Sequence, residues 1–126
     1  MARSNGAKDI RVIISSGGNA GLAAAYAAQY YNIACTVVLP TVSKPEIVTQ
    51  LKLYGADVEI VGASIFEAEQ YLKNALIPSY PTSTYLIKSH AFDNLEVWEG
   101  HASIVDEITT QLGPLDAAKV KYIACS

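Results

Sequence analysis

Short apolar runs alternate along the chain with longer segments in which apolar residues recur every three or four positions. Nearly continuous apolar runs are typical of strands that are covered on both faces. They predict strands over residues 10–15, 35–39, 57–61, 84–87 and 120–125, and the segments between them predict helices over 19–31, 43–54, 64–74 and 100–112. Because strands that alternate with helices across short connections form parallel sheets, we predict an α/β fold: an open parallel sheet with helices on both faces.

Residues that favour helix ends mark the borders of these segments. Asn19 is the predicted N-cap of the first helix. The S-x-x-E sequences that start at Ser43 and Ser64 match the capping box, and they predict where the second and third helices begin. Gly55 and Gly113 are expected to end the second and the last helix.

Two segments do not fit either pattern. Residues 78–83 are rich in turn-forming residues and predict a loop. Residues 89–99 form a longer loop between two blocks of strand and helix. This second loop is the best candidate for a boundary within the chain.

Composition and charge exclude several classes of function. The 126 residues are 51% hydrophobic and 17% charged, which indicates one packed core rather than disorder. The net charge is −3 and the basic residues are scattered, so we expect neither nucleic acid nor an anionic membrane as a partner. No apolar stretch approaches the ~20 residues of a membrane span. The N-terminal sequence has no apolar signal-peptide core, and we therefore predict a cytoplasmic location.

The cysteines and histidines do not form a recognisable metal motif. Cys35 and Cys125 lie in apolar runs, so we interpret both as reduced core residues. His90 and His101 are the two histidines, and each is expected to be a loop or cap residue. We predict no metal site.

The glycine-rich sequence SSGGNAG, residues 15–21, follows the first predicted strand and opens a helix. Ligands of open α/β sheets bind beyond the carboxyl ends of the strands, where helix N-termini and backbone N–H groups favour anions. Asn19 adds a side-chain donor. The alternative is a plain tight turn in which Asn19 acts only as a cap. The spacing matches neither the Walker loop nor the G-x-G-x-x-G dinucleotide fingerprint.

Four sequences resemble one known family in order and spacing: SSGGNAGLAAAYAA, CTVVLP, LKLYGADVEIVG and HAFDNLEVWEGHASIVDEI. They are similar to the L-serine/L-threonine dehydratases, which are fold-type II pyridoxal-phosphate enzymes, and the serine-specific branch is the better match. The resemblance runs from about residue 10 to residue 126. It implies the conversion of L-serine to pyruvate and ammonia, or of L-threonine to 2-oxobutanoate, with pyridoxal 5'-phosphate as cofactor. Members of the family are often homodimers.

The resemblance also implies roles for individual residues. The loop that grips the substrate carboxylate in the family matches Ser16, Gly17, Gly18, Asn19 and Ala20. Asn19 also matches the asparagine that hydrogen-bonds the phenolic oxygen of the cofactor ring. The segment from Trp98 to His101 matches a turn and helix start near the cofactor, and no catalytic role is carried over to His101.

The chain departs from the family pattern in two places. The family attaches its cofactor through a lysine in an S-x-K motif upstream of the loop, but Lys8 has no serine two positions before it. The family's glycine run for the cofactor phosphate would begin where this sequence stops. We therefore place no catalytic residue in this chain and expect it to be inactive by itself. A non-catalytic amino-acid-binding module and a non-functional truncated product are the alternative interpretations.

These observations suggest a division of the chain into three parts. Residues 1–9 are interpreted as a truncated lead-in, and residues 10–89 as a small α/β domain with the carboxylate-binding loop. Residues 90–126 are interpreted as the incomplete beginning of a large cofactor domain.

Overall fold

The chain divides into two structural units, Met1–Ala91 and Phe92–Ser126. The structure, a computed structural model, describes residues 9–90 and 94–124. Their correspondence to the small and large domains of the family stays a prediction.

Four parallel strands form the sheet of the first unit: β1 (Asp9–Ser15), β2 (Ala34–Leu39), β3 (Asp57–Ile60) and β4 (Thr84–Lys88). Their order across the sheet is β3-β2-β1-β4. This confirms the first four predicted strands. Because β2 and β4 lie on opposite sides of β1, the strand order reverses there, and ligands of open α/β sheets bind at such a point.

The helices of the first unit are α1 (Asn19–Tyr30), α2 (Pro45–Leu53) and α3 (Ile65–Tyr71), which continues through a π-helical turn (Leu72–Leu76) into α4 (Ile77–Ser79). The second unit contains α5 (Leu95–Leu112) and α6 (Pro114–Ala117). No helix in the described ranges is long and apolar enough to cross a membrane.

Alternating side chains of the sheet supply two separate apolar cores. Ile14 packs with α1 and α2, in a cluster of Ile14, Ala25, Ala28, Cys35, Val37, Leu39, Leu51 and Ala56. Ile13 faces the other way, in a cluster of Ile13, Val38, Ala68, Leu72 and Leu76 with α3 and the π-helical turn. The helices therefore cover both faces of the sheet, as predicted. Cys35 is a buried free thiol, as predicted, whereas Cys125 lies outside the described residues.

Two of the three predicted N-caps are wrong. The N-cap of α1 is Gly18 rather than Asn19, which is the first helical residue. The N-cap of α2 is Lys44 rather than Ser43, because Pro45 suits the first helical position, where its missing N–H costs nothing. The capping box at Ser64 is confirmed, since its side chain accepts a hydrogen bond from the Glu67 N–H at 3.3 Å.

The predicted helix ends are confirmed for α2 and α5, but two helices are longer than predicted. Gly55 and Gly113 follow α2 and α5 with positive φ, at 77° and 79°. The helical segment that begins at Ile65 continues beyond residue 74 to Ser79, so residues 78 and 79 are not a loop. Its π-helical turn buries Leu72 and Leu76, and this packing outweighs the helix-ending tendency of the following proline.

The second unit differs more from the predicted pattern. Asn94 caps α5, because its side chain accepts hydrogen bonds from the N–H groups of Glu96 and Val97 at 2.9 and 3.3 Å. The helix therefore begins at Leu95 and not at residue 100. Residues 120–124 are not in a strand, because an isolated strand needs a paired neighbour and the described part of this unit supplies none.

Candidate functional site

The turn from β1 to α1 is folded around the hydroxyl of its own serine. Ser16 Oγ accepts hydrogen bonds from the N–H groups of Gly18 and Gly21, at 3.3 and 3.1 Å. The N–H of Ser16 donates to the carbonyl oxygen of Val38 at 3.0 Å, which ties the turn to β2. The side chain of Ser16 therefore accepts hydrogen bonds from N–H groups at the start of α1, a role that the sequence pattern predicts for Asn19.

Neighbouring atoms leave little room for a side chain at two glycines of this turn. A Cβ on Gly21 would lie 3.0 Å from the carbonyl oxygen of Ser16 and 3.3 Å from Val37 Cγ1. A Cβ on Gly17 would lie 2.9 Å from Ser43 Oγ. Gly18 is different, since apart from its two chain neighbours no heavy atom of the described residues lies within 4 Å of its Cβ position. The backbone at Gly18 is thus open to a ligand.

The turn opens onto a groove of about 490 Å³ at the carboxyl edge of the sheet. Its lining comes from the turn, from the segment after β2 and from the first residues of α2 and α3: Gly17, Gly18, Asn19, Pro40, Val42, Ser43, Lys44, Ile47 and Ile65. Most of these side chains are apolar, and the exposed Lys44 adds a cation. The groove can therefore accommodate an organic anion whose charge lies at the turn.

Ser43 lines the groove, although the sequence predicts it as the N-cap of α2. Its Oγ is buried and has no hydrogen-bond partner among the residues that the structure describes. Because Lys44 is the N-cap of α2, the Ser43 hydroxyl is not used as a cap and instead packs beneath Gly17.

A charged cluster lies on the α3 side of the same strand end. The hydroxyl of Ser15 donates a hydrogen bond to Glu69 Oε2. Glu69 Oε1 lies 2.9 Å from Lys88 Nζ and 3.2 Å from Lys73 Nζ. Burial by itself would raise the pKa of Glu69, but the hydrogen bond from Ser15 and the ion pairs with Lys88 and Lys73 outweigh it and lower the pKa to about 2. Glu69 is therefore a carboxylate at neutral pH.

Sequence reasoning missed Glu69 and Lys88. Ser15 and Glu69 are 54 positions apart, and no motif contains them both. The signal in the sequence is weak. Glu69 is a charged residue within the predicted helix over 64–74, and Lys88 directly follows the predicted strand over 84–87.

The residues predicted to form the binding loop, 16–20, lie together at the edge of the groove, and Asn19 lines it. The other candidates do not lie in this turn. His90 belongs to the first unit. Trp98 and His101 lie inside α5 of the second unit, so the prediction that His101 is a loop or cap residue is wrong, because Asn94 starts this helix earlier than the sequence pattern indicates. Within the described ranges, no group of three or more His, Cys, Asp or Glu side chains could hold a metal ion. Lys8 lies outside the described residues.

Comparison with known families decides what kind of protein carries this turn. The family model described as pyridoxal-phosphate dependent enzyme matches residues 1–126. The chain belongs to this family. It is 41% identical to the catabolic L-serine/threonine dehydratase of Saccharomyces cerevisiae, over 97% of this chain and 35% of that protein. It is also 41% identical to the human L-serine dehydratase/L-threonine deaminase, over 79% of this chain and 29% of that protein.

Solved structures agree on the fold. A fungal L-serine ammonia-lyase from Rhizomucor miehei superposes with a TM-score of 0.68 at 22% identity, over 88% of this chain and 33% of that one. The resemblance to serine and threonine dehydratases that the motifs indicate is confirmed by the two relatives that are 41% identical to this chain. The chain spans about a third of the length of the curated relatives it matches.

Family membership implies pyridoxal phosphate as cofactor. The residues of the groove fit such a group. Asn19 lines the groove with an amide, and the open space at Gly18 allows a flat ring to approach the backbone.

Proposed function

We propose that residues 16–20 bind the carboxylate of L-serine or L-threonine in a dehydratase reaction that converts L-serine to pyruvate and ammonia. The observation that carries this proposal is the turn in which Ser16 Oγ accepts two backbone N–H groups. The names of the relatives, which are serine and threonine dehydratases, support the choice of substrate.

The donors of the turn suit a carboxylate. A serine hydroxyl has one proton to donate, and because Ser16 Oγ already acts as an acceptor twice, that proton is left for a ligand. The N–H groups of Asn19 and Ala20 belong to the first turn of α1 and have no partner within the helix. The dipole of this 12-residue helix also favours a negative charge at its N-terminus.

The role of the turn in the reaction is to position the substrate. Holding the carboxylate at two points orients the bond between the α-carbon and its hydrogen for removal. The cofactor, when bound, supplies an electron sink for the charge that develops at the α-carbon. Asn19, which lines the groove, would hold the phenolic oxygen of the cofactor ring, as the family resemblance implies.

We also propose that the protein is cytoplasmic, as the sequence predicts, and that it forms a homodimer, as the family resemblance implies. That the chain is inactive by itself stays a prediction.

Binding of the carboxylate can be tested on the chain itself by ¹H–¹⁵N NMR. We expect L-serine to shift the amide resonances of residues 16–21, and we expect L-serinamide, which has no carboxylate, to leave them unchanged. Ser16→Ala should weaken L-serine binding about 10- to 100-fold, since a hydrogen bond to a charged group contributes roughly 1.5–3 kcal/mol. Ser103→Ala is the matched control, because Ser103 Oγ donates only to a carbonyl oxygen of α5, at 2.9 Å.

Two results would refute the proposal. One is the absence of any shift at residues 16–21 in saturating L-serine, and the other is equal shifts with L-serinamide. Addition of pyridoxal phosphate separates the dehydratase from a module that binds amino acids without it. In a dehydratase the side-chain amide of Asn19 should respond to the cofactor, and Asn19→Ala should weaken cofactor binding.

A further inference from the structure

Glu69 connects three elements at one end of the sheet. It lies in α3, it accepts a hydrogen bond from Ser15 at the end of β1, and it pairs with Lys88 at the end of β4 at 2.9 Å. Its side chain is only 12% exposed. A carboxylate this far removed from water is costly unless it is paired and hydrogen-bonded, and Glu69 is both.

The position of this cluster relates it to the binding turn. β1 and β4 are paired neighbours, with Ile13 opposite Lys88. The cluster therefore lies at the point where the strand order reverses. Ser15, which Glu69 holds, is the residue directly before Ser16.

Apolar side chains attach α3 to the sheet. The side chains of Ala68, Leu72 and Leu76 already anchor this helical segment, and all three are buried. The contact between Lys73 and Glu69 joins residues of one helical segment, so it adds little to the attachment of α3. The bond from Ser15 to Glu69 instead connects the helix to the end of β1.

The backbone next to Ser15 transmits this constraint to the turn. The Ser16 N–H is held by the Val38 carbonyl oxygen, and Ser16 Oγ is held by Gly18 and Gly21. Loss of the Ser15 side-chain bond would leave the peptide between Ser15 and Ser16 held by the Val38 contact alone, and a small rotation there would move the Ser16 hydroxyl, which must meet a ligand within hydrogen-bond distance.

We propose that Glu69 is a positioning residue of the binding turn: acting through Ser15, it holds Ser16 in the orientation that receives the substrate carboxylate. This inference rests on the proposed function for its ligand, but the effect of Glu69 on Ser16 can be measured without any ligand.

The ligand-free test uses the amide resonances of Gly18 and Gly21, whose N–H groups donate to Ser16 Oγ. We expect Ser15→Ala and Glu69→Ala to shift both resonances, and we expect the double variant to shift them no further, because both changes break the same bond. Glu69→Gln should restore most of the wild-type positions, since its amide oxygen can still accept the bond from Ser15. The matched control is Lys73→Met, which removes a charge from the cluster but leaves the Ser15 bond, and it should not move these resonances.

The ligand test uses L-serine on the same variants. We expect Ser15→Ala and Glu69→Ala to weaken binding about tenfold, with Lys73→Met unchanged. The proposal is overturned if Glu69→Ala leaves Gly18 and Gly21 at their wild-type positions, or if Lys73→Met moves them as far as Glu69→Ala does. If Glu69→Ala does not fold, Ser15→Ala decides, because it breaks the same bond: Gly18 and Gly21 resonances at their wild-type positions in that variant overturn the proposal. If the wild-type chain does not bind L-serine, the proposed function fails, and the ligand-free resonances still decide the role of Glu69.

Discussion

Gly21 lies in α1 close to both the Ser16 backbone and Val37 of the sheet, and Gly21→Ala tests how tightly the turn is packed. The added methyl group would lie 3.0 Å from the Ser16 carbonyl oxygen and 3.3 Å from Val37 Cγ1. The first of these atoms belongs to the backbone, and Val37 is fully buried, so neither can move freely. The helix must therefore shift away from the strand.

The expected cost follows from two opposing effects. Adding a methyl group to a packed site destabilises by about 1–3 kcal/mol. Replacing glycine by alanine within a helix recovers about 0.5–1 kcal/mol. The net loss is at most about 2.5 kcal/mol, and its midpoint of about 1 kcal/mol corresponds to a fall in Tm of roughly 5–10 °C for a unit of this size.

Thermal unfolding followed by circular dichroism measures this loss. Gly100→Ala is the matched control, because Gly100 also lies within a helix and, apart from its chain neighbours and the backbone of that helix, no heavy atom of the described residues lies within 4 Å of its Cβ position. We expect this control to leave stability unchanged or to raise it. Because the Gly21 N–H donates to Ser16 Oγ, Gly21→Ala should also weaken L-serine binding. A Tm equal to or above that of the wild type would refute the close packing of α1.

Three further changes test other parts of the first unit. Ser43→Ala should leave the free energy of unfolding unchanged or raise it by about 1 kcal/mol, because it removes a buried hydroxyl without a described partner; a loss of stability in urea unfolding would contradict this. Since the pKa of Glu69 is lowered from 4.5 to about 2, its contribution to stability is fully present above pH 4.5 and is lost as the pH falls towards 2. The free energy of unfolding should therefore fall between pH 6 and pH 3 by about 1–2 kcal/mol more in the wild type than in Glu69→Gln, after allowance for solvent screening. Urea unfolding at both pH values measures this difference, and an equal fall in the two proteins would contradict it. Burial raises the pKa of the Cys35 thiol to about 11, so this thiol is protonated at pH 8. In a Cys125→Ser variant, a disulfide reagent at pH 8 should therefore react with Cys35 only after unfolding. Rapid reaction of the native chain would show that Cys35 is accessible.

The sequence pattern predicts the sheet well, and the reason is local. β2 has five consecutive buried residues, so its apolar run is continuous and easily recognised. The turn at residues 16–20 is recognised for the same reason, since its glycines and Ser16 are adjacent in sequence. In contrast, the apolar run at residues 120–125 also predicts a strand, but residues 120–124 have no partner strand in the described part of the second unit.

The predicted caps show how a local rule fails when a neighbouring residue competes. Both Ser43 and Ser64 begin an S-x-x-E sequence, but only Ser64 caps its helix. The difference is Pro45, which takes the first helical position and moves the cap to Lys44. At the first helix, the hydroxyl of Ser16 reaches the N–H of Gly21 across five positions, which is outside the spacing of the capping rules.

The donors of the turn and the contacts that orient it come from different parts of the chain. The hydroxyl and N–H groups that suit a carboxylate all belong to residues 16–20. The atoms that hold them come from β2, through the carbonyl oxygen of Val38, and from α3, through the carboxylate of Glu69. A sequence motif contains only the donors. The same SSGGN sequence with an apolar side chain at position 69 would therefore keep every donor and lose one of the contacts that orient them. The difference between such a chain and this one would be in affinity for the carboxylate, not in the fold, because the apolar cores on both faces of the sheet do not depend on the Ser15 bond.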